Sequence, residues 1–237
     1  MIREFELFVA IRYLRAKRKQ AVISVITIIS VIGVAAGVMA LVIALAINNG
    51  FRGTLQRNLL SATAHVSVLE KKPDYGIENW RDLTQKFLQL PHVTAATPSL
   101  YAPVMIAGLQ PATSILKGID PAHDHPEMLR NLKQGSFDRL SEKASLPGII
   151  LGARLAENTG MMLNSVVRVI GQELTPWGPR VVEHRFRVVG IFESGFYELD
   201  ANWSYTSLAS AQMVLSVKDV VNSIEIRVDD IYRAPEV

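Results

Sequence analysis

From Ala21 to Ile47 the chain reads AVISVITIISVIGVAAGVMALVIALAI, without one Asp, Glu, Lys or Arg. As a helix rising about 1.5 Å per residue, the run is roughly 40 Å long. The hydrocarbon core of a bilayer takes about 20 residues, so this segment is long enough to span and to project beyond. A cleavable leader has an apolar region of only about 7–15 residues. Ala62-Thr63-Ala64 resembles a cleavage site but lies well past the apolar end. The sequence therefore predicts a retained transmembrane helix over 21–47.

Basic residues give its orientation. Arg3, Arg12, Arg15, Lys17, Arg18 and Lys19 precede the run, and only Arg52 and Arg57 follow it closely. The positive-inside rule then places residues 1–20 in the cytoplasm and residues 48–237 outside. Within the first segment, Phe5, Phe8, Val9 and Tyr13 recur at helical spacing, apart from Arg3, Glu6 and Arg12. That pattern predicts an amphipathic helix on the cytoplasmic surface. Gly33 and Gly37 form a GxxxG, which favours close helix packing but is frequent by chance in small-residue spans.

The external part mixes periods of 2 and 3.6. The apolar helix is expected to run on to about Leu60. Strands are expected over 64–70, 93–97, 112–119, 165–171, 183–192 and 220–228. Helices are expected over 78–90, with Trp80, Leu83, Phe87 and Leu90 on one face, and over 207–215. The stretch 148–160 reads as a strand entering a short helix that stops at Gly160. This alternation predicts an α+β domain with two lobes.

Catalytic signatures do not appear. GxSxG, HExxH, GxGxxG and GxxxxGK[ST] are all missing, so the chain has no phosphate loop of its own. His123-Asp124-His125, following Asp120, sits in a proline-bounded turn and is expected to be a solvated loop with no metal. There is no Cys, hence no disulfide or thiolate chemistry. The formal charge of +3 is small, and Lys and Arg beyond the N-terminus are scattered, which does not fit a nucleic-acid partner. A basic foot, one span and an external domain without catalytic groups describe a machine part or receptor rather than an enzyme.

The segment ELTPWGPR (173–180) places Trp177 between Pro176 and Pro179, beside Gly178. On its residues alone it is either a turn whose Trp folds back on the domain or a stiff, projecting apolar anchor.

Several stretches, in this order and spacing, carry a resemblance: FVAIRYLRAKR (8–18), GVMALVIALAINNGF (37–51), LKGIDP (116–121), IILGARLA (149–156) and RFRVVGIFESGFYELDANWSYTSLASAQ (185–212). The chain resembles the permease subunits of lipoprotein-releasing ABC transporters, the LolC/LolE family of Gram-negative inner membranes, within the wider MacB-like and FtsX-like superfamily. The resemblance implies a first span, a large MacB-like periplasmic core domain and then three more spans. The chain stops at Val237, so it is expected to be a fragment or truncation with the later spans missing.

It further implies a non-catalytic subunit that extracts lipoproteins from the outer leaflet of the inner membrane. The expected partners are a cytoplasmic LolD-like ATPase that binds the ATP and Mg, a second permease subunit (identical or paralogous), a periplasmic LolA-like carrier and the lipoprotein cargo. No cofactor is expected in this chain itself. The family's carrier-binding hook has a Thr-Pro-x-Gly core; the matching residues here are Thr175, Pro176, Trp177 and Gly178, followed by Pro179 and Arg180. The family's lipid path matches Met39, Val42, Ile43, Ala46, Ile47, Asn49 and Phe51. Those residues suit acyl chains and equally suit contact with further spans. The competing readings are a MacB-like or FtsX-like mechanotransmission permease, and a single-span periplasmic sensor or binding module.

Overall fold

The computed structural model describes residues 4–15, 21–62, 64–71, 76–130, 132–142, 144–175, 177–231 and 234. The chain divides into two compact units, residues 1–58 and 59–237.

The first unit is helical. Helix α1 (Glu4–Arg15) carries exposed Phe5, Phe8, Val9 and Tyr13. Helix α2 (Ala21–Ala62) is continuous, and its stretch Val25–Phe51 is long and apolar enough to cross a membrane. The expected extension beyond Ile47 is present, because residues 48–62 hold no proline and their two glycines cost only about 1 kcal/mol each in a helix. Thr27 Oγ1 donates to the carbonyl of Ile23 at 2.9 Å, so this polar group is satisfied within its own helix. Lys17, Arg18 and Lys19 lie outside the described residues.

The second unit is mixed. Its strands are β1 (Val66–Leu69), β2 (Val93–Ala107), β3 (Pro111–Ile119), β4 (Gln134–Gly135), β5 (Gly148–Gly152), β6 (Val166–Thr175), β7 (Gly178–Phe192), β8 (Trp203–Ser207) and β9 (Ser223–Val228). Its helices are α3 (Trp80–Leu88), α4 (Glu127–Arg130), α5 (Ala153–Thr159), α6 (Tyr197–Asn202) and α7 (Leu208–Leu215). The strand order is β1-β9-β2-β3-β8-β5-β7-β4, with β6 pairing both β2 and β7. The β3–β8 and β5–β7 pairs are parallel; all the others are antiparallel.

Two lobes share β2. In the first, α3 lays Trp80, Leu83 and Phe87 against β1, β2 and β9, where Ile224, Ile226 and Val228 complete a core. Leu90, expected on the same face, is exposed because α3 ends at Leu88. In the second lobe, Ile106, Leu116, Ile149, Leu155, Phe186 and Val188 belong to one core. Ile150 and Tyr205 join another, as the period of 2 along a strand requires when both faces are covered.

Strand β2 is three times longer than the predicted 93–97. Pro98 and Pro103 both lie within it. In the fold, β9 pairs residues 93–99, β3 pairs 100–107 and β6 pairs only 105–107. Each proline therefore stands where β2 has a neighbour on one edge alone among the described residues, and a missing N–H is tolerated at an open edge. Strand β9 is shorter than predicted, starting at Ser223, because Asn222 turns its side chain to the backbone of Tyr101 instead.

Candidate functional site

Strands β6 and β7 form one long hairpin, in register from Val166↔Arg187 to Thr175↔Gly178. Its root is fixed by burial: Val167, Val169, Phe186 and Val188 are all fully enclosed. Strand β2 pairs with β6 only as far as Ile170. Beyond that residue β6 has β7 as its sole strand neighbour among the described residues, so the outer part of the hairpin outgrows the sheet.

The loop is two residues, 176 and 177. Pro176 lies outside the described residues. Trp177 is 97% exposed. Thr175 Oγ1 donates to the carbonyl of Gly178 at 2.6 Å. Gly178 has φ +117°, a conformation that L side chains rarely adopt, with open space where a Cβ would stand. Pro179 and Arg180 are exposed on the descending strand, and Arg180 stands opposite Glu173. Five of the six expected hook residues thus lie together at one projecting tip. Lower down, Arg168 and Glu183 face each other at 3.5 Å, an exposed pair of small energetic weight.

Met39, Val42, Ile43, Ala46, Ile47, Asn49 and Phe51 all lie on α2 and are all exposed within the first unit. Met39, Val42, Ile43, Ala46 and Asn49 follow helical spacing along one side, with Ile47 and Phe51 to its flank. His123 Nδ1 lies 2.8 Å from Asp120 Oδ2. His123 and His125 are exposed while Asp124 between them is buried.

Sequence reasoning missed a second constellation. Lys117 on β3 and Glu225 on β9 form a buried ion pair of 2.6 Å. The Tyr101 hydroxyl on β2 also donates to Glu225. Burial alone would raise the Glu225 pKa, but the Lys117 charge and the hydrogen bonds from Lys117 and Tyr101 outweigh it and hold the carboxyl below its ordinary value. Burial first, and then the Glu225 charge, push the Tyr101 phenol upward. Asp124 is raised, chiefly by burial, despite the opposing charge of Lys117. Its Oδ2 has no hydrogen-bond partner among the described residues. The hint in sequence is charge inside otherwise apolar strands, Lys117 in ILKGI and Glu225 in IEIRV; more than a hundred residues separate them.

Comparison with known proteins gives a consistent family. The lipoprotein-releasing system transmembrane protein LolC of Xylella fastidiosa (strain 9a5c) is 29% identical over 241 residues, covering 100% of this chain and 57% of that protein. LolC of Neisseria meningitidis serogroup B (strain ATCC BAA-335 / MC58) is 30% identical over 240 residues, covering 97% and 56% respectively. The lipoprotein-releasing system transmembrane protein LolE of Haemophilus influenzae (strain ATCC 51907 / DSM 11121 / KW20 / Rd) is 24% identical over 234 residues, covering 96% and 56%. The chain spans a little over half the length of these curated relatives. The MacB-like periplasmic core domain family matches residues 27–237, which takes in most of α2 and the whole mixed unit. This chain belongs to the MacB-like periplasmic core domain family.

Proposed function

We propose that this chain is part of the permease of an ATP-driven transporter that lifts lipoproteins out of the inner membrane's outer leaflet and hands them to a soluble periplasmic carrier. In this reading α1 lies on the cytoplasmic surface, α2 crosses the membrane and the mixed unit is periplasmic. A separate LolD-like subunit binds ATP and Mg and hydrolyses the nucleotide. A second permease subunit, identical or paralogous, completes the lipid path, and the carrier is LolA-like. The chain itself supplies binding surfaces and mechanical linkage, with no catalytic group and no cofactor.

The observation that carries the reading is Trp177, almost wholly exposed at the tip of a hairpin whose root is fully buried. A large apolar side chain held in solvent on a stiff support is an anchor for a partner's pocket. The prolines at 176 and 179 restrict φ, and the Thr175–Gly178 hydrogen bond closes the tip. Less conformational entropy is then lost when a partner is engaged. Arg180 offers a cation beside the anchor for a carboxylate on the carrier. The similarity to LolC proteins supports lipoproteins as the cargo class. Met39, Val42, Ile43, Ala46, Ile47, Asn49 and Phe51 are the candidates for contact with acyl chains at the outer end of the span.

The test is a transfer assay. The complete transporter, with its partner permease and ATPase, is placed in proteoliposomes with a labelled triacylated lipoprotein. Transfer to the soluble phase that requires both ATP and the added carrier is the expected result. ATP hydrolysis with no carrier-dependent transfer would favour a MacB-like or FtsX-like mechanotransmission permease instead.

A further inference from the structure

The two lobes of the mixed unit have separate apolar cores, and the buried Lys117–Glu225 pair crosses between them. Strand β2 changes partners at this point. Ser99 is its last residue paired with β9, and Leu100 is its first paired with β3. Lys117 rises from β3 and Glu225 from β9, each less than a tenth exposed, so the ion pair reaches over β2.

Tyr101, on the strand between, is half-buried and makes several directed contacts. Its hydroxyl donates to Glu225. The Lys117 ammonium lies 5.3 Å from its ring centroid. Its N–H donates to Asn222 Oδ1 at 2.9 Å, and its carbonyl accepts from Asn222 Nδ2 at 2.8 Å. Trp203 meets the ring edge to face at 5.9 Å.

Stability alone does not account for such a cluster. Removing two charges from water costs about as much as their attraction returns, and well-packed apolar residues often serve as well or better. What apolar residues do not supply is direction, since a hydrogen-bonded ion pair has one favoured geometry. Among the described residues α7 also ties the lobes, with Ala211 in one core and Val214 in the other. That packing is non-directional, and packed helices slide by small shear motions.

We propose that Lys117, Glu225 and Tyr101, with Asn222 behind them, form a latch that fixes the angle between the two lobes. Without it the lobes stay joined through β2 and α7 but rock about the partner change at Ser99–Leu100.

The chain has no Cys, so spin labels can be placed cleanly at two exposed helical positions, Gln85 in the first lobe and Asn158 in the second. The experiment measures the distance distribution between them by pulsed electron–electron resonance in the detergent-solubilised protein. The unaltered background gives one narrow distribution. The double variant Lys117→Met/Glu225→Met melts cooperatively yet broadens the distribution by about twofold or adds a second population. A distribution as narrow as the unaltered one overturns the latch. If the double variant does not fold, the milder pair Glu225→Gln and Tyr101→Phe is read in the same way: broadening supports the latch, and an unchanged width overturns it.

Discussion

The Thr175 hydroxyl donates to the Gly178 carbonyl at 2.6 Å, across the last cross-strand pair of the hairpin and directly beneath Trp177. The bond ties the side chain that opens the loop to the backbone that closes it. A neutral hydrogen bond of this kind is worth about 0.5–1.5 kcal/mol net. Thr175→Val keeps the β-branched shape and removes the donor. The melting temperature should barely move, because the tip lies outside all three cores. Affinity for the carrier, read by titration calorimetry, should fall by roughly threefold to tenfold.

Gly178 carries the second tip prediction. At φ +117°, with nothing within 4 Å of the place a methyl would take, a substitution there meets strain but no clash. Gly178→Ala should cost about 1–3 kcal/mol locally, relieved by re-forming the loop. The expected outcome is a folded protein with near-normal melting and carrier affinity lowered by at least about tenfold. Unfolding of the whole domain would mean that the tip is part of the core's support.

Gly152 makes the opposite prediction. A Cβ there would sit 2.2 Å from the carbonyl oxygen of Asp200, on the backbone of α6. That backbone cannot yield easily, since Asp200 Oδ1 accepts from Ser194 N and Ser194 Oγ, both at 2.7 Å. Gly152→Ala should destabilise by about 1–3 kcal/mol or more through overpacking, seen as a lower melting temperature. The control Gly33→Ala in α2, where the space is open, should not lower the melting temperature.

The buried carboxyls set the pH dependence, with opposite signs. Glu225 is depressed in the folded protein. Its contribution is present above the ordinary carboxylate value and is lost as pH falls through the lowered one. Asp124 is raised by burial. The folded state therefore holds its proton more tightly than the unfolded chain does, and stability falls as pH rises from the ordinary value through the raised one. Asp124→Asn should raise the melting temperature at pH 7 and have little effect near pH 3, flattening the alkaline side of the profile. Thermal melts at both pH values check this, and an equal effect at the two would contradict it.

The elements read from sequence are those whose information is local. The span needed only an uninterrupted apolar run, and α3 needed only Trp80, Leu83 and Phe87 at helical spacing. Strand β3 and the helix ending at Gly160 were equally legible. The hairpin is legible as two alternating runs, and its tip stands out through the family resemblance rather than through periodicity. What escaped was set by distant partners. Strand β2 continues through Pro98 and Pro103 because one of its edges is open at each of them. Strand β8, WSYTS, becomes a strand by lying parallel to β3, and nothing in its five residues announces that. Lys117 and Glu225 meet only because β9 and β3 flank the same strand.

The central claim is that Trp177 is the contact for a soluble carrier. The most direct measurement replaces Trp177 with a photocrosslinking residue, in the permease within membranes, and irradiates in the presence of the periplasmic fraction. An exposed position far from the tip, such as Asn158, serves as the control. The account predicts a crosslink from position 177 to a small lipoprotein carrier, absent from position 158 and lost when Gly178→Ala is added. No crosslink to a carrier, with position 177 still open to solvent probes, would contradict the claim.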